Sequence, residues 1–205
     1  MNIFFLNLAS HQGLLACVGN YRVLSSFAVD HRIDDAALVP HVEAVIHKAG
    51  WSYPDLTQIA CVVGPGGFTS LRVAVALTNA LSHELKIPVC GVHLSDLYAI
   101  RSAETTGSPL TSAWLHSTKK QELFIRTFNH GNFPDPVCVS IDDLQTIIKK
   151  EDRWMGELIP EQRKVVDEAG AQEVSLRPVE EILPEFLWKQ SYKKQILQPW
   201  YGRGW

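Results

Sequence analysis

The sequence predicts an α/β chain whose first lobe is a mixed sheet with flanking helices, followed by a smaller second lobe. Three features carry this reading. Three apolar, strand-like runs joined by short turns open the chain, a glycine-rich corner couples a buried run to a long apolar helix, and strand-like and helical segments then alternate. With 205 residues the chain is long enough for one ordinary domain or two small lobes with a sizeable core.

The elements follow in order. Ile3 to Ala9, Leu14 to Val18 and Val23 to Val29 are joined by turns at His11-Gln12-Gly13 and Gly19-Asn20-Tyr21, too short for anything but antiparallel neighbours. A helix runs from about Asp35 to Ala49 and stops at Gly50. Ile59 to Val63 is a buried strand, Val73 to Leu85 a long helix, and Val89 to Val92 a strand preceded by Pro88. Ser95-Asp96 opens a further helix through about Ala103, with Ser95 as its N-cap. Glu104-Thr105-Thr106-Gly107-Ser108-Pro109 is polar and turn-rich, so the expected division is an N-terminal lobe at residues 1–103 and a C-terminal lobe at residues 104–205, whose tail is free to pack back on the first. In that second lobe Leu110 to His116 and Glu122 to Phe128 form a hairpin, Val137 to Val139 is a strand, and Asp142 to Lys149, Pro160 to Ala169 and Val179 to Gln190 are helical. No repeat at a solenoid period is visible.

Composition excludes several classes. Hydrophobic content of 46% with 20% charged residues describes a globular protein, and no apolar stretch is long enough to span a bilayer. The N-terminus reads as a strand rather than a signal peptide, which leads us to expect a cytoplasmic protein. Four widely spaced cysteines without a C-x-x-C pair suggest buried thiols, not a zinc site or disulfides. A formal net charge of −3 argues against gripping nucleic acid by bulk electrostatics.

Gly64-Pro65-Gly66-Gly67-Phe68-Thr69-Ser70-Leu71-Arg72 is the most informative segment. Gly64, Gly66 and Gly67 permit close backbone approach where a helix begins, and free N–H groups at such a corner make it a candidate phosphate-proximal loop; a tight turn that binds nothing satisfies the same letters. The spacing is neither that of a Walker loop nor that of a dinucleotide fingerprint. On the following helix Val73, Ala74, Val75, Ala76, Leu77, Ala80, Leu81 and Leu85 leave only Arg72, Asn79, His83 and Lys86 as a polar line. That apolar surface exceeds what a surface helix requires. Either the helix is sandwiched within its own chain or a partner's helix covers its outer side, the small alanines permitting close approach. On the preceding helix Ala37, His41, Ala44 and Lys48 form a stripe of small and polar residues beside the core stripe of Leu38, Val42, Val45, Ile46 and Ala49.

No catalytic constellation emerges. His41 and His47 do not share a helical face as a metal pair would, and His93-Leu94-Ser95-Asp96 has triad letters without an elbow motif. Asp34-Asp35 and Asp142-Asp143 suit helix N-termini. In the tail, Trp188, Tyr192, Trp200, Tyr201 and Trp205 are interleaved with Lys189, Lys193, Lys194 and Arg203; such a mixture can stack bases and hold phosphates, and more often folds back to pack its rings on the first lobe.

The N-terminal hairpin, the helix ending near Gly50, the corner Gly64 to Arg72 and the run Pro88-Val89-Cys90-Gly91-Val92-His93-Leu94-Ser95 together resemble the TsaB family, also called YeaZ. The likeness covers about the first hundred residues and resumes at Lys119 to Phe128 and at Gln198-Pro199-Trp200-Tyr201. It implies the two-lobed actin/Hsp70/sugar-kinase-like (ASKHA) fold, and a non-catalytic subunit that supports a TsaD-like transferase in forming threonylcarbamoyladenosine on tRNA, with a TsaE-like ATPase completing the assembly. It further implies that the first two helices pair with the equivalent helices of the transferase, or with a second copy to give a homodimer when the chain is alone. The interface would then draw on Ala37, His41, Ala44, Val73, Ala76, Leu77 and Ala80. No catalytic residue, metal or catalytic cofactor is implied; ATP or ADP at a subunit interface is, and contact with tRNA is expected to be indirect.

Departures from the family pattern bear on chemistry. Asn7-Leu8 stands where the first strand usually ends in Asp-Thr, the magnesium and phosphate anchor of this fold, so a charge and a hydroxyl are missing. Asp34 stands in place of a common His, Ser117 in place of an Asp with Lys119 retained nearby, and Gly67 and Ser70 exchange residue types relative to the commoner Gly-Pro-Gly-Ser-Phe-Thr-Gly. The competing reading, an active ATP-dependent phosphotransferase of the same fold, needs the anchor that Asn7 lacks. A metallopeptidase reading, attached by analogy to relatives of the transferase, finds no histidine spacing to support it.

Overall fold

The computed structural model describes residues 1–30, 35–102, 112–128 and 134–202. The expected linker at Glu104–Pro109 lies outside these residues, as do Asp34, Arg203 and Trp205. In chain order the elements are β1 (Asn2–Asn7), β2 (Gln12–Gly19), β3 (Arg22–Asp30), α1 (Asp35–Lys48), a 3-10 turn (Tyr53–Asp55), β4 (Gln58–Gly64), α2 (Phe68–Leu85), β5 (Val89–His93) and α3 (Leu94–Ser102). There follow β6 (Ser112–Ser117), β7 (Glu122–Phe128), β8 (Val137–Ser140), α4 (Ile141–Ile148), β9 (Arg153–Glu157), α5 (Pro160–Ala169), β10 (Gln172–Glu173) and α6 (Val179–Trp188).

The chain forms two compact units, Met1–Leu94 with Pro178–Trp200 and Ser95–Arg177 with Tyr201–Trp205. In the first, the sheet order is β3-β2-β1-β4-β5, with the meander antiparallel and β1–β4 and β4–β5 parallel. The register aligns Phe4 with Cys17 and Ile59. One face therefore gathers Phe4, Leu6, Leu15, Cys17, Ile59 and Cys61 against Leu38, Val42, Val45 and Ile46 of α1 and Ala74 and Val75 of α2. The alternate residues Ile3, Phe5, Ala16, Val18, Ala60 and Val62 are equally buried, and α6 packs against β2 and β3 with Ile182, Leu183, Phe186 and Leu187 inside. Burial on both faces explains why these strands read as unbroken apolar runs.

Strand β1 stops at Asn7, short of the apolar run's end at Ala9. The Asn7 Oδ1 accepts hydrogen bonds from the N–H groups of Ala9 (3.0 Å) and Ser10 (3.3 Å), which turns the chain out of the sheet.

The second unit repeats the same topology: β8-β7-β6-β9-β10 matches β3-β2-β1-β4-β5 strand for strand, with antiparallel and parallel pairs in the same places. Its core joins Leu115, Leu123, Ile125 and Trp154 to Leu144, Ile148 and Val166. Strands β9 and β10 were not expected from the sequence. Gly156 lies within β9 at φ +130°, where a Cβ would come 1.9 Å from the Leu115 carbonyl oxygen, and both residues of β10 are exposed. Ser95 is a correction: it lies inside α3, and its Oγ accepts a hydrogen bond from Arg126 Nη1 at 2.8 Å in place of the expected cap.

Candidate partner interface and glycine corner

Helix α2 buries Leu71, Ala74, Val75 and Thr78. Val73 and Leu77 are half-buried and touch the core from its rim, while Ala76 and Ala80 are exposed. The outer flank thus presents short apolar side chains over two turns, the kind of surface that lets another helix approach closely. At its N-terminal end Phe68 is 50% exposed with the Arg72 guanidinium 3.8 Å above its ring. On α1, Ala44 and Val39 are exposed and Ala37 is half-buried. His41 is half-buried because its ring stacks on Phe27 of β3, centroids 4.3 Å apart. The sequence-derived stripes therefore fall on accessible faces of α1 and α2 among the described residues.

The glycine corner is arranged around its own chain. Gly64 has φ +150°, and a Cβ there would lie 2.1 Å from the Trp200 carbonyl oxygen; the Trp200 N–H in turn donates to the Val63 carbonyl at 2.8 Å. A Cβ on Gly66 would meet Ala9 at 2.8 Å. Gly64 and Gly66 are thus taken up by internal packing. Gly67 is exposed at the N-cap of α2, with only Ser70 Oγ within reach of an added Cβ, at 3.7 Å. The Asn7 carboxamide is 4% exposed, and its oxygen already accepts two backbone N–H groups.

Sequence reasoning missed what holds this corner in place. Residues 192–200 return along the first unit as a strap: Lys193 and Val89 exchange backbone hydrogen bonds at the β5 edge. Asn79, which the sequence placed on the polar line of α2, clamps the strap. Its Oδ1 accepts from the Leu197 N–H at 2.9 Å, and its Nδ2 donates to the Leu197 carbonyl at 3.1 Å. Trp200 then sits against His93, ring centroids 4.8 Å apart. The mixture of rings and cations in the tail was visible in the sequence, but nothing there identified Asn79 as their receptor.

In the second unit Ser117 belongs to a buried network. It donates to Gln162 Oε1 and accepts from the Ile159 N–H at 2.9 Å, while Gln162 Nε2 donates to the Lys119 carbonyl at 2.8 Å. Lys119 pairs with Glu122 at 2.7 Å. Burial pushes the Cys61 thiol up to about 12 and the Cys17 thiol up to about 11, so both stay protonated and unreactive at neutral pH. No helix among the described residues is long and apolar enough to cross a membrane.

Residues 31–151 match the family described as TsaD, tRNA N6-adenosine threonylcarbamoyltransferase. The transferase of that name from Bacillus subtilis is 29% identical over 123 residues, 59% of this chain and 34% of the relative. The tRNA threonylcarbamoyladenosine biosynthesis protein TsaB of Buchnera aphidicola subsp. Acyrthosiphon pisum is 26% identical over 95 residues, 46% of this chain and 43% of the relative. The chain thus matches less than half the length of these curated relatives. Among solved structures, a Pseudomonas aeruginosa protein described as similar to peptidase YEAZ superposes with a TM-score of 0.73 at 20% identity, covering 98% of this chain and 99% of that one. YeaZ from Pseudomonas aeruginosa gives 0.67 at 18% identity, covering 97% and 99%. A Bacteroides thetaiotaomicron protein with an actin-like ATPase fold gives 0.52 at 10% identity, covering 91% and 95%. The fold of this chain is that of these structures, an actin-like arrangement of two mixed sheets with flanking helices.

Proposed function

From the premise that this chain belongs to the TsaD family and, within it, to the TsaB (YeaZ) type, we propose that it is a non-catalytic subunit that docks a TsaD-like transferase in the formation of threonylcarbamoyladenosine on tRNA. The observation that carries this reading is the uncovered apolar flank of α2, with Ala76 and Ala80 exposed beside half-buried Val73 and Leu77. A helix of the transferase laid along this flank and the Ala44 face of α1 would bury it, and the same surface would serve a second copy when the transferase is missing.

Two features support the absence of catalysis in this subunit. Asn7 supplies no charge where the fold anchors a metal–phosphate group, and its oxygen is already engaged by Ala9 and Ser10. Gly64 and Gly66 pack against Trp200 and Ala9, which leaves little free backbone at the corner for a phosphate. Both count against the phosphotransferase reading. A TsaE-like ATPase, and ATP or ADP at the junction of subunits, belong to the same proposal.

Mixing the purified chain with a TsaD-like protein at micromolar concentration should give a single heteromeric peak in size-exclusion chromatography. Ala76→Glu should abolish that peak with an unchanged circular dichroism spectrum, because docking would bury an unpaired carboxylate. Two independent peaks with the wild-type chain overturn the reading.

A further inference from the structure

The sheet register collects an unexpected set of side chains at one end of the first unit. Asn2 pairs with Gly19, Gly19 with Arg22, Ile3 with Gln58, Ile59 with Val89 and Val89 with Lys193. The β2–β3 turn, the starts of β1, β4 and β5, and the strap at Lys193 therefore lie at the same end, across about 20 Å of sheet. The last turns of α1 and α2 reach this end too: a Cβ on Gly19 would lie 2.8 Å from Trp51, just past α1, and Lys86 caps α2 three residues before β5. Arg22, Lys48, Lys86, Lys189, Lys193 and Lys194 are all exposed there, alongside the acids Glu43, Asp55, Glu84 and Glu185 of the same segments. This is a basic end on an acidic protein. It lies at the opposite end of β4 from the glycine corner, which begins at Gly64.

Helix C-termini favour cations, and that accounts for Lys48, Lys86 and Lys189. It does not account for Arg22 on a hairpin turn or for Lys193 and Lys194 on the strap. Among the described residues Lys189 is paired with Glu185, whereas Arg22, Lys193 and Lys194 make no ion pair. In the second unit, by contrast, Lys119, Lys120, Arg126, Arg163 and Lys164 each hold a carboxylate.

An aromatic group sits among these charges. Tyr21 is 64% exposed and occupies the left-handed region at φ +58°, unusual for a bulky residue, beside Asn20 at +52°. One side of its ring rests on Trp188, centroids 4.0 Å apart with 30° between planes, and the rest faces solvent. In place of the indirect tRNA contact that the family resemblance implies, we propose that this end of the first unit is an RNA-contacting surface, with Arg22, Lys193 and Lys194 on backbone phosphates and the Tyr21–Trp188 pair as a platform for an unpaired base. The choice of RNA rests on the proposed function, but the surface belongs to this chain alone and does not require the docking helices.

The test measures fluorescence anisotropy of a labelled, unmodified tRNA transcript against the full chain, alone and with its TsaD-like partner, between about 50 and 200 mM salt. The combined variant Arg22→Gln, Lys193→Gln, Lys194→Gln should weaken binding at least tenfold at the lower salt and flatten the log–log salt slope by about two to three. The double variant Lys189→Gln, Glu185→Gln, which removes an ion pair without changing net charge, should change affinity less than twofold. Tyr21→Ala should weaken binding to tRNA about fivefold or more while leaving binding to heparin, a polyanion without bases, unchanged. The proposal is overturned if wild-type protein fails to bind the transcript, if the triple variant keeps the wild-type affinity and slope, or if polyglutamate or anionic vesicles bind as tightly as tRNA. Loss of the heteromeric peak with the transferase, by contrast, would remove the docking reading and leave this measurement standing.

Discussion

Replacing Asn79 by alanine should detach the strap from α2. The side chain makes two hydrogen bonds to the backbone of Leu197, at 2.9 and 3.1 Å, in a partly buried setting. Each is worth about 1 kcal/mol net, and truncation also leaves the Leu197 N–H and carbonyl without partners, so the loss should be about 2–3 kcal/mol. For a chain of this length that corresponds to a fall in Tm of about 5–10 °C, read by thermal circular dichroism together with tryptophan fluorescence, since Trp200 is held by the same strap. Asn79→Asp refines the test. The introduced carboxylate can still accept from the Leu197 N–H but cannot donate to the carbonyl unless protonated, so folding raises its pKa above the unfolded value near 3.9. The stabilising contribution of the protonated form is full below that unfolded value and is lost as pH rises through the folded one. This variant should therefore lose as much stability as Asn79→Ala at pH 7 and recover part of it near pH 4. A Tm within about 1 °C of wild type for Asn79→Ala would refute the clamp.

Four further outcomes follow from the structure. Gly64→Ala should unfold the corner or abolish soluble expression, since its Cβ would overlap the Trp200 carbonyl, whereas Gly67→Ala, at φ −62°, should leave the Tm within about 2 °C. Gln162→Leu should cost about 3 kcal/mol in urea unfolding by stripping partners from Ser117 and from the Lys119 carbonyl. At pH 8 a thiol reagent should react with half-exposed Cys138 and spare Cys17, Cys61 and Cys90 until urea is added. Burial raises the Cys17 and Cys61 thiols from 9.0 to about 11 and about 12, so their contribution to stability is complete below pH 9 and lost as pH climbs through those values. The urea midpoint should fall between pH 8 and pH 10.5, and fall less in Cys61→Ala.

Strands β1, β2 and β4 were legible because they are dry on both faces: Ile3 to Leu6 and Ile59 to Val62 carry no polar side chain to blur the pattern. The second sheet repeats the topology without that clarity. Strand β9 has two fully buried side chains, Trp154 and Met155, between Arg153 and Gly156, and β10 has none. The stripes on α1 and α2 could be read from helical periodicity, and so could the excess of apolar surface on α2. The partners of Asn79, Gly64 and Tyr21 could not. Each is met by a residue more than a hundred positions away, at Leu197, Trp200 and Trp188. Ser95 illustrates the converse error, since a local capping motif yielded to a buried arginine, Arg126, from another element.

The first unit is sewn from two stretches of chain, and this has a consequence for biosynthesis. Its sheet is complete by Leu94, yet the helix that packs on β2 and β3 begins only at Val179. Between them the ribosome must make Ser95–Arg177 of the second unit, which takes several seconds at roughly 5–20 residues per second. Throughout that interval β2 and β3 wait without the helix that will pack on them. A nascent chain of this protein is therefore a natural client for holding chaperones, and any mutation that stalls translation ahead of Pro178 would be felt as aggregation of a lobe whose own sequence is intact.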